Sequence, residues 1–185
     1  MARWIPQPDA VGRNEHIGRR LFDEPMLTGA KDQKPFNGLL VNHFLETRDE
    51  QVSVDRLGKS SVDRSVVRYL MPLAESAGSA FLSPKRFDGW TVLPAHRVQE
   101  TQQSPLQVVA SPETNNPYHA HILTESFLTA VEQDKMRRHL VALYLRELFT
   151  KHGTIHQAAE VTETTEDQPN WVSKFKHSVL RLFGR

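Results

Sequence analysis

From residue 36 onward the apolar and polar positions fall into periods that specify elements, and before it they do not. Leu39-Leu40-Val41, His43-Phe44-Leu45 and Val52-Ser53-Val54 read as strands, the last two separated by the acidic stretch 46–50. Phe81-Leu82, Trp90-Thr91-Val92-Leu93 behind Asp88-Gly89, and Leu106 to Ala110 predict further strands. Ser60-Ser61 offers an N-cap, after which Val62, Val66, Tyr69, Leu70, Leu73, Ala74 and Ala77 recur at helical spacing up to Gly78. Pro72 lies inside that pattern and predicts a kink, or an end near Met71, because proline removes a helical hydrogen bond and crowds the preceding turn. Thr124 can cap a second helix, running with a break at Asp134 to Lys151 and stopped by Gly153. Eight of the ten residues from Leu140 to Phe149 are apolar, so this helix is expected to be buried as the main support of the sheet.

The flanks read differently. Residues 1–35 hold Pro6, Pro8, Pro25 and Pro35 with no sustained period and predict an irregular N-terminal arm. Residues 154–169, with Glu160, Glu163, Glu166 and Asp167, have the composition of an acidic flexible linker. In 170–185, placing residues about 100° apart gathers Trp171, Val172, Phe175, Val179, Leu182 and Phe183 on one arc. Lys174, Lys176 and Arg181 lie on the other side or its border, so the segment is a cationic amphipathic helix. The expected fold class is α+β: a small, mostly antiparallel sheet within a domain at 36–153, a kinked helix near 61–77, a long helix near 125–151, and the tethered C-terminal helix. The tetrapeptide Ser-Val-Asp-Arg at 53–56 recurs at 61–64, on a strand and then a helix start, and is not a structural repeat.

Composition narrows the function classes. In 185 residues, 23 Lys+Arg stand against 22 Asp+Glu, a net charge of +1, which disfavours nucleic acid as a direct ligand. Having no cysteine, the chain has no disulfide, thiolate nucleophile or cysteine-ligated metal, which fits a reducing compartment. The longest apolar run, Leu140 to Leu145, is far short of a membrane span. A soluble, cytoplasmic protein without cofactor is expected, with a peripheral position at a membrane as the alternative.

The densest set of chemical side chains is Asn115-Asn116-Pro117-Tyr118-His119-Ala120-His121-Ile122. On a strand His119 and His121 share a face about 6.6 Å apart, a spacing open to two metal ligands or an acid/base pair. No third ligand follows at a telling offset, and His43 or His96 would have to arrive by folding, so no metal is expected. Arg56, beside Asp55 at a strand end, can clamp a carboxylate or phosphate bidentately, or can brace the turn into the helix internally. A cleft joining Arg56, His119, His121 and His43 would hold an anionic or nucleotide ligand, as in a compact ADP-ribosyltransferase-like fold. The chain has no glycine-rich phosphate loop, Gly-x-Ser-x-Gly elbow or His-Glu-x-x-His helix, which leaves the enzyme question open and leaning towards no.

Val52-Ser53-Val54-Asp55-Arg56, with Asn116-Pro117-Tyr118-His119-Ala120-His121-Ile122 downstream, resembles a set of small bacterial proteins that pair such a strand with an Asn-Pro-x-His-Ala-x-Ile segment. The resemblance implies a bacterial, intracellular origin and a compact α+β unit, and no activity. The leading expectation is an interaction or accessory module that docks on a larger protein assembly through its terminal segments. Trp171, Phe175, Val179, Leu182 and Phe183, with Lys174, Lys176 and Arg181, would then bind a partner's groove or an anionic membrane. A metal-independent enzyme or anionic-ligand domain is the alternative.

Overall fold

A computed structural model of the chain describes residues 3–22, 39–45, 51–100, 106–124 and 134–158. Its elements are β1 (His16–Phe22), a 3-10 turn (Val41–His43), β2 (Gln51–Gly58), α1 (Arg64–Ser79), β3 (Phe87–Pro94), α2 (Ala95–Gln99), β4 (Gln107–Ala110), β5 (His119–Leu123), α3 (Asp134–His152) and β6 (Thr154–Gln157). The six strands form one sheet in the order β4-β5-β2-β1-β3-β6, with every neighbouring pair antiparallel. The α+β architecture read from the sequence is therefore the one observed.

Strand alternation sorts the core onto two faces. Ile17, Leu21, Val52, Val54, Leu93, Val108, Ala120 and Ile122 meet Val141, Ala142, Leu145 and Phe149 of α3, together with Ala95 and Val98 of α2. On the opposite face Leu57, Phe87, Trp90 and Val92 meet Val66, Val67, Leu70, Met71 and Ala74 of α1. The helix α3 thus supports the sheet as expected from Leu140 on, while residues 125–133, the start of that predicted helix, lie outside the described residues.

The N-terminal arm departs most from expectation. Residues 16–22 are a strand, paired on one side with β2 and on the other along its whole length with β3. Two adjacent arginines hid it, since a central strand normally reads as apolar alternation. Each guanidinium finds acceptors inside the fold: Arg19 donates to the carbonyls of His43 at 2.6 Å and Ser53 at 2.7 Å, and Arg20 donates to Asp55. Upstream, Trp4 packs with the α1-side core and Val11 with the α3-side core, so residues 3–15 wrap one end of the sheet. A domain confined to 36–153 would lack a strand from the middle of its sheet.

Five smaller expectations change. Leu39 to Val41 is no strand, because the Leu40 amide donates to His43 Nδ1 at 3.1 Å and closes a 3-10 turn. Phe81-Leu82 forms a bend with both side chains exposed. Asp63, rather than Ser60 or Ser61, caps α1, accepting from the Ser65 amide at 2.8 Å. The helix α1 continues past Pro72 to Ser79; Pro72 and Arg68, whose carbonyl the proline leaves without its helical donor, are both on the exposed side, where water can serve that carbonyl. Residues 154–157, assigned to the linker, add β6 to the sheet edge, where Gly89 of β3 has φ +142° and a Cβ would strike the His156 carbonyl. Residues 159–169 of the linker and the helix predicted at 170–185 lie outside the described residues.

Candidate functional site

The candidate residues fall into two separate networks. Asp55 and Arg56 are neighbours on β2, and adjacent strand residues point to opposite faces, so they cannot pair with each other. On the α1 side, the buried Asp55 carboxylate collects four N–H donors. Arg20 Nε reaches Oδ2 at 2.7 Å and an Arg20 terminal nitrogen reaches Oδ1 at 2.8 Å, a bidentate pair. Trp90 Nε1 adds 2.9 Å to Oδ2 and Asn116 Nδ2 adds 3.0 Å to Oδ1. Burial alone would lower the Arg20 pKa, but the Asp55 charge and hydrogen bonds more than offset it and hold the pKa above its ordinary value.

Asn116 does double duty. Its Oδ1 accepts from the Tyr118 amide at 3.1 Å, an Asx turn that shapes the β4–β5 loop, while its amide nitrogen fixes Asp55. The Asn-Asn-Pro stretch therefore sets the backbone that delivers His119 and His121 to β5. In register His119 faces Asp55 and His121 faces Ser53, and the two rings stand edge to face with centroids 4.5 Å apart. His119 Nδ1 lies 2.9 Å from the Ser111 carbonyl and 3.6 Å from Glu113 Oε1. A carbonyl only accepts, so Nδ1 carries the proton in the neutral ring and Nε2 keeps the lone pair.

Arg56 joins neither histidine. Fully buried at the opposite face, it donates through Nε to Glu15 Oε2 at 2.8 Å, through a terminal nitrogen to Glu15 Oε1 at 2.9 Å, and to the carbonyls of Gln7 at 2.5 Å and Ala10 at 2.7 Å. Its guanidinium is consumed in holding the N-terminal segment, so the expected clamp on an external anion is not formed by this residue. His43 is bound up in its 3-10 turn and is not delivered to β5. The partners that replace them, Glu15 and Arg20, come from the stretch read as irregular; Trp90 and Asn116 were legible only as strand and turn residues.

Two carboxylates accompany His119: Asp55 faces it in register, and Glu113 Oε1 lies 3.6 Å from its Nδ1. Among the described residues no group of three or more His, Asp or Glu is arranged to hold a metal ion, and no helix is long and apolar enough to cross a membrane.

The other conspicuous surface is apolar. Met136, Leu140 and Leu143, spaced four and three residues apart on α3, are 54, 37 and 37% exposed on the side away from the sheet. Arg146, one turn on from Leu143, donates to the Leu39 carbonyl at 2.9 Å and brings the segment carrying the exposed Leu40 alongside that end of the helix. The spacing was present in the sequence, but a run apolar all round read as buried all round. The partner-binding candidates Trp171, Lys174, Phe175, Lys176, Val179, Arg181, Leu182 and Phe183 lie outside the described residues. Comparison with protein-family models, curated proteins and solved structures finds no match.

Proposed function

We propose that the protein is an interaction module that docks on a larger protein assembly, using its C-terminal segment and the outer face of α3. One contrast carries this reading: the buried charged groups Asp55 and Arg56 spend their hydrogen bonds inside the fold, while α3 leaves Met136, Leu140 and Leu143 uncovered in a row. The sequence of 170–185, whose apolar residues recur at helical spacing, supports it. The test compares what co-purifies from native cells with the full chain, with a chain ending at Gln168, and with Leu140→Asp/Leu143→Asp. A protein retained by the first and lost from either of the others, with melting temperatures unchanged, supports docking. An identical set from all three refutes it.

A second reading rests on the fixed His119 tautomer. An Nε2 lone pair held in place, on a residue that faces Asp55 and through it the oriented Arg20 guanidinium, suits proton abstraction from a neutral polar ligand. It predicts that His119→Gln and Arg20→Lys abolish binding of such a ligand while the sheet stays folded, as read by amide NMR spectra.

A further inference from the structure

The charge pattern around the α3 stripe specifies what kind of partner it fits. With residues about 100° apart, Met136, Leu140 and Leu143 form the outward line of the helix, opposite Leu145 and Phe149 in the core. Arg137 and Lys151 flank that line on one side, and His139 and Arg146 on the other. Over the whole of α3, Lys135, Arg137, Arg138, Arg146 and Lys151 stand against Asp134 and Glu147. We infer that this face receives an amphipathic helix of a partner protein, whose apolar stripe is bordered by aspartates and glutamates. The inference rests on the docking reading above and adds the partner's chemistry to it.

Three other occupants fit less well. The chain's own 170–185 segment carries Lys174, Lys176, Arg181 and Arg185, which meet the cationic borders of α3 as like charges. A second copy of α3 would bring Arg137, His139 and Arg146 against the same residues. For an anionic membrane the stripe is too flush, since Leu140 and Leu143 are little more than a third exposed, and Glu147 continues their line towards the headgroups. Leucines about a third exposed between charged borders instead form the shallow ridges and grooves into which a second helix packs.

The experiment is an amide NMR titration of the full-length protein with three probes. One is a helical peptide with Leu at three- and four-residue spacing and Glu on both borders; the second is the same peptide with Lys in place of Glu; the third is phosphatidylcholine vesicles containing phosphatidylserine. The Glu peptide is expected to shift the amides of 136–147 and to bind about tenfold or more tightly than the Lys peptide. Its affinity should fall several-fold from low to high salt and in Arg137→Glu/His139→Glu, and be lost in Leu140→Ser/Leu143→Ser. If the Lys peptide shifts these amides at least as strongly as the Glu peptide, the acidic-partner inference is overturned and protein docking on α3 stands; if the vesicles do, the face is a membrane surface and both fall. If no probe shifts them, and Leu140→Asp/Leu143→Asp leaves the co-purifying proteins unchanged, both fall.

Discussion

Arg56 shows how a residue chosen for function turns out to hold the fold. Its guanidinium is surrounded by one carboxylate and two carbonyls, and removing it strands Glu15 in the interior. Arg56→Ala should therefore destabilise the protein by about 3–5 kcal/mol, measured by urea unfolding, with the amides of residues 4–15 losing their exchange protection. Replacing both partners by apolar residues of similar size should recover much of that loss. The sequence showed Asp55-Arg56 as a charged pair at a strand end, and internal bracing was one of its two readings; what stayed hidden is that each braces a different partner, because those partners, Glu15 and Arg20, lie far away in the chain. His16 gives a pH test. Burial lowers its pKa first of all, charges on His156 and His96 add to this, and a hydrogen bond that the ring donates to the Asn14 backbone only partly opposes it. The unfolded chain then takes up this proton first. The contribution is complete above the ordinary value of 6.5 and is lost as pH falls through the lower, folded value. The melting temperature should drop between pH 7.5 and 5, and drop less in His16→Gln.

Among the elements, α3 separates what burial does from what exposure permits. Leu145 is fully buried and Leu143, two residues before it, is not, so Leu145→Ala should lose about 2–5 kcal/mol of stability while Leu143→Ala changes it little, both read from thermal unfolding. Similar values for the two would mean that the outer row is core after all. The strands β2, β3 and β4 were legible because each holds a short run rich in β-branched or aromatic residues, whereas β5 was read as a strand from the spacing of His119 and His121. The strand β1 was not, since its two arginines look like surface and only tertiary acceptors make them tolerable in a sheet. The helix α1 was legible by period but not by boundary: its start is set by Asp63, whose carboxylate loses some solvation on folding yet is held below its ordinary pKa by Ser65 and by the amides of Trp4 and Val66. Asp63→Ala should cost about 1 kcal/mol.

For the molecule as a whole, the place of β1 between β2 and β3 decides what can fold alone. A fragment starting at Phe36 should show no dispersed amide spectrum, whereas the chain ending at Gln168 should keep its melting temperature. The same placement fixes an order in time. The strand β1 leaves the ribosome before its partners and has to wait for them: His16 pairs with Gly58 and with Pro94, and β2 in turn pairs with β5 as far on as Leu123. None of these ladders is closed by a tight hairpin, so loop closure comes before any pairing is rewarded, and refolding from denaturant should take milliseconds to seconds rather than microseconds. Until α3 is made, Ile17 and Leu21 have no finished core to enter. The two arginines that obscured the strand in the sequence are then what keep this waiting segment apart from copies of itself on neighbouring nascent chains.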